Sequence, residues 1–247
     1  MNDLQLMNSR VIFLCIVLGI FALSCESTLT AEEIIEKSLE QAHGGKALWE
    51  TPKLLIYEKT TTFYTSEGAV ESEKKQTFHN TLQPTFTSKV KWMEDAVEKQ
   101  IVYDGKETAV FVGGNEVTDT KKVEAASKEI LGAQFVLWQP YKLFTDEASV
   151  KFERIVRLED DTEAYAIKVT YPESDAIWWF YFDVNTFLLK ENLIQHSENR
   201  YSQIVNISQE DDTGLKLHQH RKSFAVDVAK DEKYLRAEYH YTILELK

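Results

Sequence analysis

Cysteine is nearly absent from this sequence, which contains only Cys15 and Cys25 among its 247 residues. Cys15 lies inside an apolar stretch near the start of the chain, and Cys25 ends that stretch. If the preceding residues are removed as a secretion signal, Cys25 has no second cysteine with which to pair. A lone thiol in an exported protein is open to oxidation and cross-linking. The scarcity of cysteine therefore excludes a disulfide framework and requires another fate for Cys25.

The sequence also lacks an apolar run long enough to cross a bilayer. Residues 11–23 carry no charge and follow Arg10, but no second apolar span follows them. A spanning helix needs roughly 20 apolar residues, whereas the core of a signal peptide has about 7 to 15. The segment is therefore predicted to be a secretion signal.

The signal ends in Ala22-Leu23-Ser24-Cys25 and is followed by polar residues. This ending resembles a bacterial lipobox, although leucine is commoner three places before the cysteine. We therefore predict a signal peptide over residues 1–24, lipid attachment at Cys25 and an acylated linker over 25–29. An ordinary cleaved signal with an incidental cysteine is the alternative. Translation from Met1 or from Met7 is also left open, because Asp3 is unusual in a region that should be positive.

Basic residues are fewer than acidic ones, 28 against 40, and the net charge is -12. This balance excludes the electrostatic footprint of a nucleic-acid-binding protein. It also argues against adhesion of the folded body to anionic lipid head groups. Attachment to a membrane must then come from acyl chains, each buried methylene contributing about 0.8 kcal/mol. The predicted partner is a membrane, contacted through the acyl anchor.

Sequence motifs for catalysis are missing as well. There is no Gly-x-Ser-x-Gly setting, phosphate loop or dinucleotide fingerprint. The acidic runs at 159–161 and 210–212 lack the spacing of a calcium loop and are typical of solvated turns. We therefore predict a protein that is not an enzyme and has no cofactor. A hydrolase with an unrecognised site is kept as a third alternative.

Histidines give a second candidate for a metal site, besides the acidic runs. His218 and His220 are two residues apart on a predicted strand and should share one face, with His196 on a neighbouring strand. That face also carries Lys216 and Lys222, which indicates a solvent-facing surface. We therefore predict no metal site.

The remaining chain, about 223 residues after cleavage, is large enough for one domain over 30–247. Thr30 and Glu33 form a capping box for a helix over 31–43, and apolar residues at helical spacing predict a second helix over 121–137. Everything else alternates between strands and short turns, as in an antiparallel meander. The predicted strands are 53–64, 70–79, 84–93, 97–103, 107–112, 150–158, 163–171, 176–183, 187–196, 200–209, 215–228 and 233–244.

The strand that contains residues 177–182 differs from the others because both of its faces are large and apolar. Such a strand needs a cover on each side. We expect one of the two helices to lie inside a curved sheet and the rest of that face to form an apolar groove. Arg221 or Lys142 could meet a head group at its mouth. The candidate lining residues are Trp92, Trp138, Trp178, Trp179, Phe180, Phe182, Tyr239 and Tyr241.

Several short stretches are similar to envelope lipoproteins of the Bacteroidetes group within the lipoprotein-localisation-factor (LolA/LolB-like) superfamily. They are Ala-His-Gly-Gly at 42–45, Tyr-Asp-Gly at 103–105, Trp-Gln-Pro at 138–140 and Lys-Tyr-Leu-Arg-Ala-Glu-Tyr at 233–239. The resemblance implies a mainly β (α+β) fold, a half-open antiparallel β-barrel of about 11–12 strands with an N-terminal helix and one inserted helix. It also implies an apolar surface for acyl chains and supplies no catalytic residues.

Two functions follow as expectations. The first is an envelope lipoprotein that binds a lipid, an acyl chain or a lipoprotein, in a receptor, sensor or accessory role because the carrier members are usually not lipidated. The second is a structural or interaction lipoprotein with a dry core and another envelope protein as its partner. Both place the protein in the bacterial cell envelope, with the outer membrane favoured, facing the periplasm or the surface.

Overall fold

The computed structural model describes residues 29–145, 147–172 and 174–247. The predicted signal peptide and Cys25 lie outside the described residues. In the described part of the chain, thirteen antiparallel strands form one open sheet that does not close on itself. The prediction of a mainly β fold with an antiparallel sheet and an N-terminal helix is confirmed. The sheet is not a closed barrel, because its two edge strands do not pair with each other.

Twelve of the strands match the predicted ones to within a few residues. The thirteenth, β6, is only two residues long and was not predicted. The strands are β1 Leu54–Tyr64, β2 Val70–Thr81, β3 Thr87–Glu94, β4 Val97–Tyr103, β5 Thr108–Val112, β6 Asn115–Glu116, β7 Ser149–Arg157, β8 Glu163–Thr170, β9 Ile177–Asp183, β10 Leu189–Gln195, β11 Arg200–Gln209, β12 His218–Asp227 and β13 Glu232–Leu246.

The sheet consists of two meanders joined along their long central strands. Its order is β6-β5-β4-β3-β2-β1-β13-β12-β11-β10-β9-β8-β7, so the first and last strands of the chain pair at the centre. The chain reaches one edge at β6 and restarts at the opposite edge with β7. The helical segment between these two strands therefore connects opposite edges of the sheet.

Two helices were predicted, and the described residues contain four α-helices. Helix α1 is Ala31–Lys37 and continues as a π-helix over Ser38–Ala42, α2 is Lys46–Glu50, α3 is Thr120–Leu137 and α4 is Lys142–Thr145. The Asp119 side chain caps α3 by accepting a hydrogen bond from the Lys122 backbone amide at 3.1 Å. Gly44 follows the opening helix at φ +74°, where an added Cβ would lie 2.4 Å from the Gly214 carbonyl oxygen. Only glycine permits this close approach.

Helix α3 packs against one side of the sheet, which we call the inner face. Ala126, Ile130 and Leu137 of α3 are buried in a core with the sheet residues. This arrangement agrees with the expectation that a helix covers one face. The core residues of the sheet and of the remaining segments are Leu39, Trp49, Leu55, Tyr57, Phe78, Val90, Ile101, Trp138, Leu215, Leu217 and Tyr241.

The expectation that His218 and His220 share a solvent-facing side is wrong. Ser208 pairs with His220, but the next residue, Gln209, pairs with His218, so Gln219 is an extra residue in the ladder. A bulge of this kind interrupts the alternation of side chains. His218 is therefore buried, with 1% of its surface exposed, while His220 lies at a half-buried position.

None of the helices in the described part of the chain combines the length and apolar character that a membrane-crossing helix needs.

Candidate functional site

A cavity of about 140 Å³ lies between helix α3 and the inner face of the central strands. Its floor comes from four neighbouring strands. Lys59 of β1 pairs with Tyr241 of β13, and Tyr239 of β13 pairs with Arg221 of β12. Ile204 comes from the next strand, β11. We call it the central cavity. Its lining residues are Lys59, Glu129, Gly132, Ala133, Val136, Ile204, Arg221, Tyr239 and Tyr241.

Arg221 is a buried cation in the central cavity, with only 2% of its surface exposed. Its Nε donates to the Asn206 side-chain oxygen at 2.8 Å, and its Nη2 donates to that of Asn192 at 3.1 Å. Asn206 in turn donates to the Leu189 carbonyl oxygen at 3.0 Å. The described residues place no carboxylate in an ion pair with this guanidinium. Burial lowers the pKa of Arg221, while a hydrogen bond to Tyr241 opposes that shift. The neutral amides of Asn192 and Asn206 fix the orientation of the guanidinium.

Lys59 supplies a second cation to the same cavity. Its ammonium lies 5.0 Å from the centre of the Tyr239 ring. Burial lowers the pKa of Lys59, while Tyr239 and Glu129 oppose that shift. No salt bridge of Lys59 is found among residues 29–145, 147–172 and 174–247. The carboxylate of Glu129 instead contacts the Lys74 ammonium and the Gln76 amide, each at 2.9 Å.

A second pocket, of about 330 Å³, lies where the end of α3 meets α2 and the turn between β2 and β3. We call it the end pocket. The ring of Trp49 is parallel to that of Tyr141, with centroids 6.0 Å apart, and meets Trp138 edge-on at 5.1 Å. The Trp49 indole is fixed by a 2.8 Å hydrogen bond to the His43 carbonyl oxygen. The lining residues are Trp49, Glu50, Pro52, Leu82, Gln83, Phe86, Gln134, Trp138, Tyr141 and Lys142.

The structure divides the eight predicted aromatic residues among several places. Trp138 lines the end pocket, whereas Tyr239 and Tyr241 line the central cavity. Trp92 packs against the core and borders a separate open depression with Glu58 and Lys75. The eight residues are therefore not brought together in one groove.

Strand β9 carries the other four aromatic candidates. Trp178 stacks on Phe180 at 5.9 Å and meets Phe135 of α3 edge-on at 5.8 Å. Trp178, Phe180 and Phe182 therefore point to the inner face, where the two phenylalanines are fully buried. Trp179 points to the opposite, outer face and donates to Glu153 at 2.9 Å.

Sequence reasoning missed Lys59 and most of the end pocket. The sequence did contain an indication for Lys59. This lysine shares one face of a strand with the apolar residues Leu55, Tyr57 and Phe63, and a lysine among apolar neighbours is unusual. Of the two cations predicted at the groove mouth, Arg221 lines the central cavity and Lys142 lines the end pocket. The end pocket had no comparable signal, because its residues come from three separate segments, 49–52, 82–86 and 134–142.

His220, Glu238 and His240 form the cluster in the described chain with ligand atoms close enough for a metal ion, all within 4.8 Å. The two imidazoles stack across β12 and β13 with centroids 4.2 Å apart. Glu238, however, already accepts from the Tyr64 hydroxyl at 2.7 Å and pairs with the Lys222 ammonium at 3.1 Å. Both carboxylate oxygens are engaged, so the geometry favours a polar cluster that connects three strands.

Comparisons with solved structures place this fold beside three proteins. A LolA superfamily protein from Nitrosomonas europaea superposes with a TM-score of 0.54 at 13% identity, covering 89% of this chain and 94% of that one. A DUF1329 family protein from Desulfovibrio piger gives 0.58 at 9% identity, with 89% and 93% covered. A Vibrio parahaemolyticus domain named for outer membrane lipoprotein sorting gives 0.50 at 6% identity, with 88% and 92% covered.

At these identities the comparisons show a shared fold. The resemblance predicted from short motifs, to the LolA-like superfamily, is confirmed at that level. The Bacteroidetes origin stays a prediction. No family sequence profile matches the chain, and no curated protein matches it.

Proposed function

We propose that the protein binds the apolar chain of a lipid or lipoprotein in the end pocket. The observation that carries this proposal is the pocket itself, about 330 Å³ in volume and lined by Trp49, Phe86, Trp138 and Tyr141. Ligand pockets usually measure about 300–1,000 Å³ and combine apolar walls with a few polar groups. The polar groups here are Glu50, Gln83, Gln134 and Lys142 at the wall.

The printed names of two structural neighbours support the same class of ligand, since one belongs to the LolA superfamily and another is named for lipoprotein sorting. We further propose that Cys25 carries the acyl anchor and that the protein lies in the cell envelope. An anchored protein cannot diffuse between membranes. A receptor, sensor or accessory role therefore fits better than that of a shuttle.

Binding can be tested with delipidated protein that lacks the signal and carries Cys25→Ser, titrated with a fluorescent monoacylglycerol. This probe is uncharged, so it reports on the apolar pocket alone. We expect saturable binding, and native mass spectrometry before delipidation should detect copurified lipid. Phe86→Ala removes one ring from the pocket wall. Because burying such a side chain contributes about 1.5–3 kcal/mol, affinity should fall roughly tenfold or more.

Phe144→Ala is the matched control, because Phe144 is 38% exposed and does not line the end pocket. Its affinity for the probe should equal that of the parent. Absence of saturable binding by the parent and of copurified lipid would instead favour the interaction lipoprotein with a dry core. Equal effects of the two phenylalanine variants would refute the end pocket as the binding site.

A further inference from the structure

We infer that the central cavity is an anion subsite for the carboxylate or phosphate of an acyl-bearing ligand. This inference rests on the proposed function and specifies the ligand as an acidic amphiphile. The volume of about 140 Å³ greatly exceeds the roughly 10–15 Å³ that one water needs, yet is small beside a pocket for a whole ligand. It is therefore suited to a compact polar group.

The charges that line the cavity are unbalanced. Lys59 and Arg221 both line it, and Glu129 is the one carboxylate in the lining. Glu129 forms a salt bridge with Lys74, whose ammonium lies 2.9 Å from its oxygen, and its charge also acts on Lys59. This one carboxylate therefore faces three cations, Lys59, Lys74 and Arg221. Withdrawing a cation from water without a paired anion is unfavourable. A bound anion would offset that penalty for both cations at once.

The guanidinium of Arg221 is also held in a fixed orientation. Two neutral amides, Asn192 and Asn206, accept from Nη2 and Nε, and the Tyr241 hydroxyl is a third hydrogen-bond partner. None of these three groups carries a negative charge. A guanidinium has five donors in a rigid fork that matches the geometry of carboxylate and phosphate. Lys59 on the neighbouring strand adds a point charge, and the aromatic rings of Tyr239 and Tyr241 complete the wall. This combination is a built site for an oxyanion.

The test compares a fluorescent long-chain fatty acid with its methyl ester, using the same delipidated protein. The two probes share the same acyl chain and fluorophore, and the neutral methyl ester of the second replaces the negative carboxylate of the first. Since hydrogen bonds to charged groups are stronger than neutral ones, the acid should bind at least about tenfold more tightly than the ester. Lys59→Met should remove most of this preference and bring the affinity for the acid close to that for the ester. Lys89→Met, an exposed lysine on β3, is the control and should keep the preference.

A competition arm identifies the source of the anion. A monoacyl phosphate that displaces the fluorescent acid better than an unlabelled fatty acid would assign the subsite to phosphate, and the reverse order would assign it to carboxylate. Equal affinity of the parent for acid and ester would overturn the anion subsite but leave the proposed lipid binding intact. Failure of both probes to bind would overturn both proposals. The comparison of acid with ester uses the parent alone, so it does not depend on the folding of any variant.

Discussion

At the residue scale, two buried histidines are held without charge. His43 has no exposed surface, and its Nδ1 lies 2.9 Å from the Leu215 carbonyl oxygen. Burial lowers the pKa of His43 from 6.5 to about 4, although the hydrogen bond to Leu215 opposes the shift. Burial likewise lowers the pKa of His218, and the positive charge of Arg221 adds to the effect. Both residues should therefore be neutral at pH 7.

Stability should fall as the pH drops from about 7 to about 4. In the unfolded chain His43 takes up a proton near pH 6.5, whereas in the folded protein it does so only near pH 4. The unfolded state thus binds more protons in this window, so acid favours unfolding. At pH 5 the loss from His43 alone should be about 2 kcal/mol. Urea unfolding at pH 7, 6 and 5 measures it.

His43→Gln provides the comparison for this prediction, because the amide can still donate to Leu215 but does not titrate. Its free energy of unfolding should depend less on pH between 7 and 5 than that of the parent. His196→Gln changes an exposed histidine and should preserve the parent's dependence. Parallel curves for the parent and His43→Gln would show that His43 is not the titrating group.

Individual residues also show where the alternation of side chains along a strand predicts burial correctly and where it does not. Alternation along β1 places Lys59 on the same face as Tyr57, and the structure agrees. The same rule fails at His218, because the bulge at Gln219 shifts the ladder by one residue. A bulge depends on how two strands pair, which a single strand's sequence does not specify. The burial of His218 was therefore beyond prediction.

At the scale of elements, the long helices and strands could be predicted from the sequence, and the shortest ones could not. Helix α3 spans Thr120–Leu137 and was predicted as 121–137, because five turns give a clear apolar period. Helices α2 and α4, with five and four residues, are too short to show one. The same holds for β6, which has two residues. Two of these missed elements, α2 and α4, contribute residues to the end pocket.

Strand β9 provides a prediction at this scale. Neighbouring residues of a strand point to opposite faces, and the contact of Trp178 with Phe135 identifies which of the two tryptophans faces helix α3. Trp178→Ala should cost about 3 kcal/mol of stability, near the lower end for large-to-small changes in a core because the side chain is half-buried. Trp179→Ala removes an outer-face ring that is held by Glu153 and Lys168, and should cost about 1 kcal/mol.

Chemical unfolding of the two tryptophan variants at pH 7 tests this assignment, with circular dichroism to verify that each one folds. Similar unfolding penalties would mean that β9 is covered equally on both faces. A larger penalty for Trp179→Ala would reverse the assignment of inner and outer faces.

At the scale of the whole molecule, the sequence predicted an antiparallel meander but not its division into two. Short turns indicate that consecutive strands pair. They do not indicate that β1 pairs with β13, or that the chain crosses between opposite edges before β7. Both features join residues far apart in the sequence. The central cavity is built on this long-range pairing, since Lys59 lies on β1 whereas Tyr239 and Tyr241 lie on β13.

At this scale the proposed acyl anchor can also be tested, through Cys25, which lies outside the described residues. Removal of residues 1–24 takes away Asp3 and Arg10, one charge of each sign, so the net charge stays at -12. A body this acidic has no electrostatic attraction to anionic lipid, and stable attachment requires acyl chains. Cys25→Ser should therefore move the protein from the membrane fraction to the supernatant and abolish the mass increase of the acylated chain. Cys15→Ser, the control within the signal, should leave both unchanged. Sedimentation of Cys25→Ser with membranes after a high-salt wash would refute the lipid anchor, because salt removes electrostatic contacts but does not extract acyl chains.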